Sequence, residues 1–135
     1  MILVDTSVWI DILRDREGKA VESFRAVMGD KTYVLSRFTQ LELLQGAKDE
    51  FEWKKLNSYL YTQYYLETSE DTWINAARIY YDLRSQGKTV TSPIDCCIAQ
   101  LAIEHGVPLL HCDKDFLEIA GIRPLASLWF ETGGG

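Results

Sequence analysis

The most informative segment of this chain is SPIDCCIAQLAIEHGVPLLHCDKDF, residues 92–116. Ser92 is a suitable helix cap, and Pro93 suits the first helical position, where no backbone N–H is needed. Apolar residues then recur at the spacing of one helical face until Gly106 ends the helix. Residues 107–112 form a short apolar run, as expected of a buried parallel strand. The segment therefore predicts a helix followed by a strand, with three acids at the ends of these elements: Asp95, Asp113 and Asp115.

The rest of the chain repeats this alternation of strand and helix patterns. Short apolar runs bounded by turn residues predict strands at residues 2–4, 32–36, 64–66, 107–112 and within 122–128. Pro124 favours an edge position for the last strand, because proline cannot donate a hydrogen bond to a neighbouring strand. Strands that alternate with helices predict an α/β fold with a parallel sheet covered on both faces.

One long helix is predicted after Ser69, which is a suitable cap, with acids in the first turn. We expect its apolar face to consist of large aromatic residues and alanines at helical spacing. These residues are Trp73, Ala76, Ala77, Tyr80 and Tyr81.

Composition sets the limits on function. The chain has 135 residues, and we expect a single domain over 1–130 followed by a flexible tail, 131–135. The net charge of −6 argues against a dedicated binder of double-stranded DNA, whose affinity comes largely from Lys and Arg. No apolar run approaches the length of a membrane span, and the N-terminus lacks the pattern of a signal peptide. Three cysteines without framework spacing suit a reducing environment, so we expect a cytoplasmic protein without membrane contact.

Four acids fall where a strand or its following helix meets the carboxyl edge of the predicted sheet. They are Asp5, Glu42, Asp95 and Asp113, with Asp115 close by. Each has a structural interpretation when taken alone, as a helix cap, a turn former or a solvated surface group. Together they would repel one another unless a cation were present, and hard divalent ions such as Mg²⁺ or Mn²⁺ prefer oxygen ligands. The pattern favours metal-assisted hydrolysis of a phosphodiester.

These acids lie in motifs that resemble those of PIN-domain ribonucleases. The motifs are Val4-Asp5-Thr6-Ser7, Gln40-Leu41-Glu42-Leu43, Ser92-Pro93-Ile94-Asp95-Cys96-Cys97-Ile98-Ala99 and Asp113-Lys114-Asp115-Phe116. The short layout is most similar to that of the VapC toxins of bacterial and archaeal toxin–antitoxin pairs. The resemblance extends from Ile2 to about Leu128.

The resemblance implies a three-layer α/β/α sandwich, RNA cleavage that depends on Mg²⁺ or Mn²⁺, a homodimer, and inhibition by a VapB-type antitoxin. By position, the metal ligands and catalytic acids would be Asp5, Glu42, Asp95 and Asp113, with Asp115, Thr6 and Ser7 as accessory residues. One position departs from the family pattern. His111 stands where Thr or Ser is common, so either its ring supplies an equivalent hydrogen bond or the site differs in detail.

An RNA substrate requires positive charge near the acids. Candidates for RNA binding are Arg14, Arg37 and Lys114, although each is equally well explained as solvated surface charge. Two other functions are considered. One is a non-catalytic interaction module that keeps the acidic pocket. The other is a metal-dependent phosphatase, which is disfavoured because the first strand supplies only one acid.

Overall fold

The computed structural model describes residues 1–89 and 92–132, in which five strands are separated by one or two helices each. The strands are β1 (Ile2–Val4), β2 (Tyr33–Ser36), β3 (Tyr65–Leu66), β4 (Leu109–His111) and β5 (Ser127–Trp129). The helices are α1 (Thr6–Arg14), α2 (Lys19–Met28), α3 (Arg37–Gln45), α4 (Glu50–Tyr61), α5 (Glu70–Ser85), α6 (Pro93–His105) and α7 (Lys114–Ala120). The predicted tail, 131–135, extends past the last described residue, so most of it lies outside the described part.

The five strands form one parallel sheet in the order β3-β2-β1-β4-β5. The edge position predicted for the last strand is confirmed, and Pro124 precedes β5 without entering it. The chain moves from β1 to β2 and β3 on one side, then returns to the other side of β1 at β4. The strand order therefore reverses between β1 and β4, and in open α/β sheets ligands bind beyond the carboxyl ends of the strands at such a point.

Apolar residues of both faces of the sheet are buried, because helices cover each face. Along β1, Leu3 packs with the cluster that includes residues of α5, α6 and α7, whereas Val4 packs with the cluster from α1 to α4. In β4, Leu109 and Leu110 divide between the same two clusters. Side chains that alternate between two covered faces explain why these strands are continuous apolar runs. The predicted three-layer α/β/α sandwich is confirmed.

The predicted apolar face of α5 is partly wrong. Its buried residues are Thr72, Ala76, Ile79 and Leu83, so only Ala76 of the predicted set is buried. Trp73 is 54% exposed and Tyr81 is 49% exposed. The helix packs through small and aliphatic side chains, and buried Thr72 donates a hydrogen bond to Glu104 Oε2 of α6 at 2.7 Å. No helix within residues 1–89 and 92–132 combines the length and apolar character that crossing a membrane requires.

Candidate active site

The predicted acids lie around the point where the strand order reverses. Asp5 directly follows β1, and one residue, Cys112, separates Asp113 from the end of β4. These two strands are neighbours in the sheet. Asp95 lies in the first turn of α6, and Asp115 in the first turn of α7. Glu42 projects from α3, which follows β2 on the other side of β1. Topology therefore brings five acids from four separate segments to one edge of the sheet.

Asp95, Asp113 and Asp115 form a compact group, named here the three-acid group. Carboxylate oxygens of the three lie within 4.8 Å of one another. Asp95 and Asp115 are buried, and a hydrogen bond joins their side chains. Burial is the main cause that raises the pKa of Asp95 to about 8, and the hydrogen bond to Asp115 and the nearby acids add to it. The group therefore retains a proton at neutral pH unless a cation compensates its charge. Asp115, which the sequence predicted as an accessory residue, contributes a carboxylate that is as close as the other two.

Asp5 is 3% exposed, and its two carboxylate oxygens have different surroundings. Oδ2 accepts hydrogen bonds from the Ser7 backbone N–H at 3.0 Å and from the Ser7 hydroxyl at 2.6 Å. Oδ1 is buried and has no hydrogen-bond partner among the described residues. Burial raises the pKa of Asp5, although the two bonds from Ser7 and the backbone N–H of Thr6 oppose that rise. A buried oxygen without a partner is costly, so this atom is a candidate ligand for a cation.

Glu42 is held at the edge of the site by a threonine. The Thr6 hydroxyl donates to Glu42 Oε1 at 2.8 Å, and its oxygen lies 3.0 Å from the buried Thr39 hydroxyl. Glu42 is half-buried and lies outside the three-acid group, but its charge contributes to the raised pKa of Asp5. The two hydroxyls predicted to support the site thus bind different acids, Ser7 binding Asp5 and Thr6 binding Glu42.

Ser7 also joins the two strand ends. Its hydroxyl oxygen accepts a hydrogen bond from the Cys112 backbone N–H at 3.1 Å, across 105 positions of sequence. The same hydroxyl donates to Asp5, so it fixes that carboxylate relative to the end of β4. From the sequence, Ser7 was predicted only as a supporting hydroxyl. Its bond to Cys112 has no sequence signal, because it depends on the pairing of β1 with β4.

His111 is fully buried at the end of β4 and makes two hydrogen bonds. Its Nδ1 accepts from the Asp113 backbone N–H at 3.2 Å, and its Nε2 lies 2.5 Å from Ser127 Oγ of β5. The ring packs against Phe116 and Trp129, with centroid distances of 4.9 Å and 5.5 Å. Burial lowers the pKa of the His111 ring, with the charge of Asp113 acting in the opposite direction. The ring therefore accepts a hydrogen bond from the backbone of Asp113. The second partner of the ring, Ser127, was not predicted from the sequence.

The three candidate RNA-binding cations differ in their exposure and in their contacts within the protein. Arg14 is exposed at the end of α1, and Lys114 is exposed at the first position of α7, between Asp113 and Asp115. Arg37 is engaged within the protein. Its guanidinium lies 3.9 Å from the centre of the Tyr65 ring and pairs with Glu67 at 3.0 Å. Of these three cations, only Lys114 is adjacent in sequence to the three-acid group.

A family model and sequence relatives of this chain indicate the same protein family. Residues 2–122 match the PIN domain model. Ribonuclease VapC11 of Mycobacterium tuberculosis is 33% identical over 133 residues, covering 96% of this chain and 99% of its own length. Ribonuclease VapC51 of the same organism is 30% identical over 132 residues, covering 98% of this chain and 94% of its own length.

Solved structures with a similar fold come from toxin–antitoxin systems. The structure of VapBC2 from Rickettsia felis bound to a promoter DNA fragment has a TM-score of 0.77 at 18% identity, covering 97% of this chain and 100% of that chain. The toxin–antitoxin complex from Klebsiella pneumoniae has a TM-score of 0.71 at 20% identity, covering 95% of this chain and 96% of that chain. At this level of identity the likeness shows the fold alone. The family model and the near full-length relatives carry the assignment: the chain belongs to the PIN-domain family and, within it, to the VapC group.

Proposed function

We propose that this protein is an endoribonuclease that hydrolyses RNA phosphodiester bonds with Mg²⁺ or Mn²⁺. The observation that carries the proposal is the buried Asp5 Oδ1, which has no hydrogen-bond partner among the described residues and belongs to a carboxylate electrostatically coupled to Asp95. The names of the VapC ribonucleases to which the chain is related support RNA as the substrate.

The donor set fits a hard divalent cation. Every candidate ligand is a carboxylate oxygen, which Mg²⁺ and Mn²⁺ prefer over nitrogen or sulfur. Asp5, Asp95 and Asp113 would hold the ion with Glu42, and the hydrogen bond between Asp115 and Asp95 makes Asp115 a further candidate. When bound, such a cation activates water and neutralises charge on the phosphate.

The chain's own residues orient the acids and handle a proton. Ser7 binds Asp5 Oδ2 and so leaves Oδ1 directed elsewhere, and Thr6 holds Glu42 through Oε1. The carboxyl of Asp95, with a pKa of about 8, carries a proton at neutral pH and must release it when the group binds a cation. Arg14 and Lys114 are exposed cations proposed to contact the RNA backbone, together with Arg37 if it leaves Glu67.

The proposed physiological role is that of a toxin inhibited by a VapB-type antitoxin. The chain's membership of the VapC group supports this role, and the similar solved structures come from toxin–antitoxin systems. We also propose a homodimer acting in the cytoplasm, where the three free cysteines would stay reduced.

The test is cleavage of total cellular RNA by the purified, antitoxin-free protein, with Mn²⁺, with Mg²⁺ and with EDTA. We expect discrete fragments that disappear with EDTA and in an Asp5→Asn variant, with a loss of about 10³-fold, because the orphan oxygen would be replaced or misdirected. An Asp30→Asn variant, which changes an exposed acid in the turn after α2, serves as the matched control and should retain full activity.

Two results would contradict the proposal. Fragments that persist in EDTA would remove the metal from the mechanism. Intact RNA under every condition, from a folded protein that binds no Mn²⁺, would instead support the non-catalytic interaction module.

A further inference from the structure

His111 performs at the backbone what a hydroxyl residue does in a tight turn. Ser, Thr, Asn and Asp side chains commonly accept a hydrogen bond from the backbone N–H two residues later. His111 Nδ1 makes this same bond to the N–H of Asp113. The family pattern has Thr or Ser at this position, and His111 replaces that residue while it still accepts a hydrogen bond of this kind.

The tautomer of the ring follows from its partners. A backbone N–H can only donate, so Nδ1 accepts and carries no proton. The proton of the neutral ring is then on Nε2, which donates to Ser127 Oγ on β5. The ring is thus anchored at one nitrogen to the neighbouring strand and holds the Asp113 backbone with the other.

Packing keeps the ring in this orientation. Phe116 and Trp129 both pack against the ring, and His111 is paired in register with Trp129 across β4 and β5. The Phe130 backbone N–H also donates to the His111 carbonyl at 2.6 Å. Both the side chain and the backbone of His111 are therefore fixed to the edge strand, two residues before an acid of the site.

Asp113 depends on this anchor. Its Oδ1 accepts the Asp115 N–H at 2.9 Å and so caps α7, while its carboxylate also contributes to the three-acid group. The direction of that carboxylate is set by the backbone at 113, whose N–H is held by His111. Removing the acceptor would leave this N–H without its bond and release the backbone just before the cap.

We propose that His111 is a positioning residue for the metal site: through Nδ1 it holds the Asp113 backbone so that the Asp113 carboxylate lies with Asp95 and Asp115. The inference rests on the proposed function, because it concerns how a proposed ligand is oriented. Two hydrogen bonds thus connect β5 to the backbone of an acid, from Ser127 to His111 and from His111 to Asp113.

Three substitutions of His111 distinguish the hydrogen bond that Nδ1 accepts from the packing of the ring. In His111→Asn the side-chain carbonyl oxygen is attached where Nδ1 is attached, so it can accept from Asp113. In His111→Gln the longer amide reaches towards Ser127 and supplies no acceptor at the Nδ1 position. His111→Leu removes both interactions. All three reduce the packing against Phe116 and Trp129, and each is measured against the unmodified protein.

The experiment is a titration of the full chain with Mn²⁺ alone, followed by electron paramagnetic resonance, beside thermal unfolding without metal. We expect the Mn²⁺ Kd to rise about 10-fold in His111→Gln and His111→Leu, the usual size for loss of a group that orients a ligand. His111→Asn should stay within about threefold of the unmodified protein, even though its Tm falls as well, because it keeps the acceptor.

An Ile2→Val variant controls for stability. Ile2 is buried at the amino end of β1, away from the acids. Its replacement by valine therefore lowers stability through lost packing, as the His111 variants do, but leaves the acids untouched. Its Kd should not change. Equal Mn²⁺ affinity in the unmodified, Gln and Leu proteins overturns the positioning role alone. An unmodified protein that binds no Mn²⁺ overturns the proposed function, and the inference with it.

Discussion

The raised pKa of Asp95 leads to a prediction about stability. Asp95→Asn should make the metal-free protein more stable at pH 8, although the same change should abolish its activity. The carboxyl is 9% exposed, hydrogen-bonded to Asp115 and close to other acids, so its charged form is unfavourable in the folded state. An amide of nearly the same shape carries no charge and can still donate to Asp115.

The sign follows from the two states of the protein. The folded carboxyl titrates at about 8 and the unfolded one at 3.8, so the folded state keeps a proton that the unfolded state loses. The contribution of Asp95 is therefore fully present below pH 3.8 and is lost as the pH rises to about 8. At 1.36 kcal/mol for each unit of pKa, the interval from 3.8 to about 8 sets an upper limit of about 6 kcal/mol. Solvent reaches part of the carboxyl, so we expect about 2 kcal/mol.

The assay is urea unfolding in EDTA at pH 5 and pH 8. The advantage of Asp95→Asn over the unmodified protein should grow by about 1.5 kcal/mol between the two pH values, because the window from pH 5 to pH 8 covers most of the interval but not all of it. Asp71→Asn is the matched control, because Asp71 is an exposed acid in the first turn of α5, as Asp95 is in α6. It should lose about 0.5 kcal/mol of helix-dipole stabilisation at both pH values. An Asp95→Asn protein that is less stable than the unmodified one at pH 8 refutes the reasoning.

Three further predictions test the supporting residues and the packing. Thr6→Val removes the donor to Glu42, and calorimetric titration should show Mn²⁺ affinity reduced about 10-fold; unchanged affinity would show that this bond does not orient Glu42 for metal binding. Ile79→Ala should lower the free energy of unfolding by about 3 kcal/mol, and Ile74→Ala on the opposite face of α5 by less than about 0.5 kcal/mol, in urea titrations; similar losses would contradict the face assigned to α5. Ser127→Ala leaves the His111 ring without its partner and should cost about 1 kcal/mol by the same measurement, whereas no loss would mean that water replaces the hydroxyl.

The order of elements could be predicted because strand and helix signals in this chain are local. Residues such as Leu109 and Leu110 are both apolar because each faces a covered side of the sheet, and breakers bound the run. The face of α5 could not be predicted with the same success. Its aromatic residues, Trp73 and Tyr81, carry a strong apolar signal but are about half exposed, while the smaller Ile79 is buried. Periodicity gives several possible stripes in an aromatic-rich helix, and packing against α6 selects one.

The residues of the candidate site could be predicted from their positions, but their interactions could not. An acid after a strand is visible in the sequence, and so was the unusual His111. The hydrogen bond between Asp95 and Asp115, the orphan oxygen of Asp5 and the partner Ser127 depend on distances and burial in the folded chain. They join segments far apart in sequence, so no local pattern encodes them.

The same helix-capping interaction holds an acid at the end of each of two neighbouring strands. After β1, Asp5 Oδ2 accepts the N–H of Ser7, two residues later, and caps α1. After β4, Asp113 Oδ1 accepts the N–H of Asp115, also two residues later, and caps α7. Each cap uses one carboxylate oxygen and fixes the side chain without using the other. Because β1 and β4 are adjacent and parallel, the two capping acids lie at the same edge of the sheet, where the strand order reverses. Helix capping alone explains the positions of Asp5 and Asp113. It does not explain why two further acids, Asp95 and Asp115, are buried close to these two at a cost in stability. The proposed cation, shared by these acids, would explain that cost, and the stability of Asp95→Asn measures the cost directly.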